Sequence, residues 1–99
     1  MGVSLSTNLE DPSAIPYFLW DEPMMVSELK ERLRTASPSE QIRLLAKVLR
    51  EARDSDVWKF TTPDEVWRRW PLVSAQLGRR RRFWKFLLNE WQREGLIGK

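Results

Sequence analysis

The chain contains no cysteine and no histidine. Without cysteine there is no disulfide scaffold, no thiolate nucleophile and no zinc site of the Cys type. Without histidine it lacks the side chain best suited to proton transfer near pH 7. Glycine is scarce. Gly2, Gly78, Gly95 and Gly98 lie far apart, so no glycine-rich loop is present to cradle a phosphate. No window of about 18 apolar residues exists, so no membrane-spanning helix is expected. The 99 residues allow one small domain, burying roughly 65% of the unfolded surface. No cofactor or metal site is expected, and an enzyme is disfavoured before any motif is read.

What the chain does carry is tryptophan and an uneven charge. Six of its residues are Trp, beside a net charge of only +3. Residues 1–23 hold four acids, Glu10, Asp11, Asp21 and Glu22, and no base. Residues 24–70 hold ten bases against eight acids, and residues 71–99 seven bases against two. An acidic start therefore precedes a mixed middle and a basic end. Such asymmetry points to charged partners, or to the acidic start folding back on the chain's own basic end.

Residues 1–23 contain Pro12, Pro16 and Pro23 with Ser, Thr and Asn between them. This predicts an extended acidic arm ahead of a helical domain over 24–99. Met1 to Leu9 has no Lys or Arg and no apolar run, so it does not read as a secretory signal, and the cytoplasm is the expected location. The opening Met1-Gly2-Val3-Ser4-Leu5-Ser6 fits the short, loose pattern for myristoylation. Within the arm lies Tyr17-Phe18-Leu19-Trp20, then Asp21-Glu22. Four large apolar side chains in a row are not a plain linker. Either they return to their own domain or they dock on another protein.

Helical periodicity dominates the rest. Val26, Leu29, Leu33 and Ala36 form one narrow stripe, predicting a helix over 26–35. Ser37-Pro38-Ser39-Glu40 is a start signal: a cap, a Pro at the first position and an acid at the third. The helix it opens should run to about Arg53, with an apolar arc of roughly 200°. Asp54-Ser55-Asp56 breaks the pattern, and Val57, Trp58 and Phe60 read as a short turn. Thr62-Pro63-Asp64-Glu65 repeats the start signal, and Pro71 is expected to end that helix. A connector to Gly78 leads to a last helix from about Arg79, ending before Gly95 with Leu96 as its apolar stop contact. Its arc of Phe83, Trp84, Phe86, Leu87, Leu88 and Trp91 is again roughly 200° wide. The expected class is all-α: one domain of four to five short helices with an extended N-terminal arm.

The chemistry-bearing residue types are sparse. The close acid pairs Asp21/Glu22, Asp54/Asp56 and Asp64/Glu65 do not suit a catalytic dyad, because neighbours on a helix diverge by about 100°. No Ser or Thr has a histidine to activate it, and no Lys sits in a Schiff-base context. Arg79-Arg80-Arg81-Arg82 opens a helix at its positive dipole end, where four cations repel one another. Phosphate, an acidic protein surface or the chain's own acidic arm would offset that repulsion. Against nucleic acid, no helix shows a single-sign face with Asn or Gln placed to read bases, and Gln41, Gln76 and Gln92 are scattered. Trp84 and Trp91 share a face, Trp67 and Trp70 another. Two broad apolar faces exceed what about 70 ordered residues hide, so some apolar surface is expected to meet another chain.

Three stretches carry a family resemblance. Phe18-Leu19-Trp20-Asp21 precedes a short helix. Leu44-Leu45-Ala46-Lys47-Val48-Leu49-Arg50-Glu51-Ala52-Arg53 runs into Asp56-Val57-Trp58-Lys59-Phe60. Arg82-Phe83-Trp84-Lys85-Phe86-Leu87-Leu88-Asn89-Glu90-Trp91 closes the pattern. Together, over about residues 17–94, they resemble small bacterial helical proteins encoded beside nucleotidyltransferase toxins of the AbiEii/AbiGii type. Many relatives of that kind carry Thr as the cap before the first helix, where this chain has Met25. The four-Arg run and the Ser/Pro-rich start lie outside the pattern.

The resemblance implies an antitoxin-like protein that neutralises such a toxin by direct contact. On that expectation Tyr17, Phe18, Trp20, Asp21 and Glu22 enter or border a basic cleft of the toxin, and Trp84, Leu88 and Trp91 supply core or a second contact. Arg79, Arg80, Arg81 and Arg82 are candidates for phosphate or an acidic surface. The alternative is a small helical nucleic-acid-binding module of helix-turn-helix type around residues 38–70, with Arg68, Arg69 and Arg79 to Arg82 on phosphates.

Overall fold

The structure is a computed structural model that describes residues 4–98, so the myristoylation pattern lies partly outside the described residues. The fold is all-α, with five α-helices among those residues. The helices α1 (Val26–Thr35), α2 (Pro38–Glu51), α3 (Asp54–Val57), α4 (Pro63–Val73) and α5 (Arg81–Arg93) follow in order. α2 is the spine. Ile42, Leu44, Leu45, Ala46, Val48 and Leu49 are all buried along it, and α1 and α4 pack against it.

Both start signals work as their chemistry requires. The Ser37 hydroxyl accepts from the Glu40 amide at 3.4 Å, and the Thr62 hydroxyl accepts from the Glu65 amide at 3.2 Å. α1 starts without such a cap, since Met25 at that position has no side-chain oxygen. The Glu40 carboxylate is taken by Arg43 at 2.5 Å.

Three details depart from expectation. α4 continues through Pro71 to Val73. Pro71 sits in the last turn, where its missing N–H costs one bond, and continuation buries Val73 and Ser74. A 3₁₀ turn over Ser74–Gln76 then leads to Gly78, which turns the chain at φ +55. A second one over Gly78–Arg80 precedes α5, so the α-helix proper begins two residues later than expected. At the other end Gly95 takes φ +76, with Leu96 N–H donating to the Trp91 carbonyl at 2.8 Å and Gly95 N–H to Gln92 at 3.1 Å. This is the 6→1, 5→2 pairing of a Schellman stop. The apolar side chain that returns to the core is Ile97, while Leu96 faces solvent.

Residues 4–23 fold back along the helices. Leu5–Ser6 (β1) pairs in parallel with Ile15–Pro16 (β2), two residues each, too short to leave an alternation in the sequence. A 3₁₀ turn over Tyr17–Leu19 follows. Leu9, Phe18, Leu19 and Met24 enter the same core as α2. The Val26 amide donates to Ala14 at 2.9 Å and the Ser27 amide to Pro12 at 3.0 Å, so arm carbonyls serve the uncapped start of α1.

Candidate partner-binding surfaces

The N-terminal segment is held by its own charges. Asp21 accepts from the Lys47 ammonium at 2.5 Å, and Lys47 is itself buried in the middle of α2. Glu22 makes a two-armed pair with the Arg43 guanidinium at 2.9 and 2.5 Å. Glu10 takes Lys59 at 2.6 Å. Each of these hydrogen-bonded cations holds its carboxyl below the usual carboxylate range. The acidic start does meet the chain's own bases, but they come from α2 and the segment after α3. Arg79 to Arg82 take no part.

Tyr17 closes the same segment. Its hydroxyl donates to the Asp56 carboxylate at 2.6 Å and accepts from the Arg53 amide at 2.7 Å. Burial, followed by the Asp56 bond, pushes the phenol up from its ordinary value. The Arg53 guanidinium lies 5.3 Å from its ring centre. Phe18 packs edge-on against Phe60 at 5.6 Å. Trp20 stands apart, 66% exposed.

Of the side chains expected at a partner, then, Phe18, Trp84 and Leu88 lie in the core and present no surface. Trp84 is fully enclosed. Its indole N–H donates to the Leu49 carbonyl at 2.9 Å, and its ring meets Trp58 and Phe83 edge-on at 5.6 and 5.0 Å. Trp91 is half-buried against Trp58, 5.8 Å between centres. The broad arc of α2 is satisfied within the chain because the folded-back segment adds its own apolar residues to the core. The arc of α5 is not, since Phe86 is 62% exposed.

The four arginines separate in the same way. Arg80 is half-buried, pairs with Asp54, and lays its guanidinium 4.4 Å from the Phe83 ring centre and 5.6 Å from that of Trp84. It is a structural residue. Arg79, Arg81 and Arg82 are exposed, and with Lys85 they line a shallow depression of about 590 Å³ at the start of α5. None of these four has a carboxylate partner among the described residues. Arg68 and Arg69, by contrast, are both committed to Glu65.

Periodicity held a further feature that a search for glutamines alone misses. Phe86, Asn89 and Gln92 follow Arg82 and Lys85 on the exposed side of α5. The face judged absent from the sequence is present here: cations of one sign, with an amide side chain on each of two turns. Counting Asn89 with Gln92 on a helical wheel would have found it.

A groove of about 690 Å³ runs beside α4 between Trp67, Trp70, Pro71 and Gly98. Its acids are occupied: Asp64 accepts from the Gly98 amide at 3.3 Å and Glu65 holds two arginines. Among the described residues no group of three or more carboxylates is placed to hold a metal ion, and no helix is long and apolar enough to cross a membrane. No protein-family model, curated protein or solved structure matches this chain.

Proposed function

We propose that the chain is an antitoxin-like protein of the bacterial cytoplasm that binds a nucleotidyltransferase-type toxin and neutralises it by direct protein contact. It acts by binding, not by catalysis. The aromatic pattern over residues 17–94 suggests the role, and one structural observation supports it. Trp20 is 66% exposed on a segment whose neighbouring Phe18 and Leu19 are fully enclosed. The fold gains almost nothing from that indole, and Trp is the residue most enriched at the energetic centres of protein interfaces.

The mode of contact differs from the one the sequence suggested. Asp21 and Glu22 are committed to Lys47 and Arg43, so they hold the segment in place. Trp20 is what remains to be offered. Co-expression with the toxin tests this. Trp20→Ala is expected to abolish rescue of growth while the purified variant melts within about 2 °C of the parent. Full rescue by Trp20→Ala would overturn the proposed contact.

A further inference from the structure

Unpaired positive charge is concentrated on one helix. Ten of the described cations have a carboxylate within 4 Å, Arg32, Arg43 and Lys47 among them. Lys30 and Arg53 have none but lie near the aromatic rings of Phe60 and Tyr17. The remaining four are Arg79, Arg81, Arg82 and Lys85, gathered at the start of α5. No side chain caps that helix start. Four cations beside the positive end of a helix dipole repel one another in the free chain, so their natural complement is a polyanion.

The rest of the exposed face says which polyanion. At about 100° per residue, Arg81, Arg82, Lys85, Phe86, Asn89 and Gln92 fall within an arc of roughly 140°. All six are exposed; buried Trp84 and half-buried Leu87 and Trp91 lie on the far side, and buried Leu88 borders the arc beside Arg81. No acid lies within the arc; Glu90 borders it and is paired with Arg93. From Arg82 to Gln92 the face is about 15 Å long, comparable with the ~12 Å width of a B-DNA major groove. Arg is suited to phosphate, Asn and Gln are suited to the edge of adenine, and an exposed aromatic suits a thymine methyl. An acidic protein surface would satisfy the cations but gives no use to the two amides. Duplex RNA has a major groove too deep and narrow for the helix.

The geometry points to α5 as a DNA-reading helix: Arg79, Arg81, Arg82 and Lys85 on phosphates, Asn89 and Gln92 on base edges in the major groove. This replaces the helix-turn-helix around residues 38–70, whose Arg68 and Arg69 are occupied. It does not depend on the toxin contact, which uses Trp20.

The test uses the full chain and a fluorescein-labelled 24-base-pair DNA duplex of mixed sequence, read by anisotropy. With about four phosphates neutralised, affinity should fall roughly 100-fold between 50 and 200 mM salt. The pair Arg81→Glu and Lys85→Glu, both exposed, should abolish binding with unchanged circular dichroism. Asn89→Ala with Gln92→Ala should leave that affinity within about threefold yet erase enrichment of any sequence from a randomised duplex pool. Absence of binding at 50 mM salt, or binding indifferent to the charge reversal, overturns the proposal. So does equal affinity for duplex RNA or single strands. Loss of toxin neutralisation in the charge-reversed chain, with no DNA binding by the parent, would reassign the patch to an acidic protein surface.

Discussion

Each tryptophan's role follows from what its indole touches. Trp84 does two jobs at once. It fills the centre of the core, and its N–H serves the Leu49 carbonyl, one of the last-turn carbonyls of α2 that have no partner within the helix. The Arg53 amide that would have met Leu49 in a longer helix goes to Tyr17 instead. Trp84→Phe should therefore cost about 1–3 kcal/mol, because it keeps an apolar ring but leaves a buried carbonyl unpaired. Trp84→Ala should cost about 3–5 kcal/mol through the cavity it leaves. Urea melts of both variants check the pair, and a Trp84→Phe chain as stable as the parent would deny the hydrogen bond its part. Periodicity placed Trp84 and Trp91 on one face of a helix. It carries no measure of depth, which is why both were equally open as core or partner contact. Trp20 has no such ambiguity in the fold, since its neighbours Phe18 and Leu19 turn inward and it does not.

At the scale of elements, starts and stops were the most legible features, because each is written in two or three adjacent residues. Ser37-Pro38 and Thr62-Pro63 open helices where expected, and Gly95 stops α5. What escaped was set by distant packing: α4 passes Pro71 because Val73 is drawn into the core, and Ile97, not Leu96, closes the last turn. The path of the N-terminal segment was equally hidden, because ion pairs such as Glu22 with Arg43 join residues 21 apart. Those pairs predict how the element responds to acid. The carboxyls of Glu10, Asp21 and Glu22 have folded-state values lowered by Lys59, Lys47 and Arg43. A lowered value means stabilisation that is fully present above the ordinary carboxylate range and is lost as pH falls through the folded-state values. Thermal melting should thus be flat from pH 7 to about 5 and decline below the ordinary carboxylate range near 4. Glu22→Gln should lower melting at pH 7 and shrink the acid-induced decline, with the two chains converging near pH 2. A variant with an undiminished decline would show that the Glu22 pair does not hold the segment. Asp21 is the harsher site to change, because its removal takes the hydrogen-bonded partner from the buried Lys47 ammonium and leaves it only Glu22 at 3.8 Å.

Across the whole molecule, the charge gradient read along the chain is folded into a different pattern. The acidic start neutralises the middle, and the basic end is left over as the uncovered face of α5. That arrangement makes residues 4–23 part of the domain's stability. Phe18 packs on Phe60, Tyr17 bridges Asp56 and the Arg53 amide at the end of α2, and the carbonyls of Pro12 and Ala14 receive the first amides of α1. Removing them would expose the side chains they cover and leave Lys47 buried without Asp21. A small all-α chain with no cysteine has no staple to compensate for such a loss. A chain starting at residue 24 should lose its cooperative thermal transition and near-ultraviolet dichroism while keeping some helix. The intact chain should melt in one step, with tryptophan fluorescence and far-ultraviolet dichroism coinciding. If residues 24–99 alone melt cooperatively at a similar temperature, the segment is an appendage resting on a finished core. If they do not, but regain the transition when a peptide of residues 4–23 is added in trans, the segment completes the core by the contacts named here.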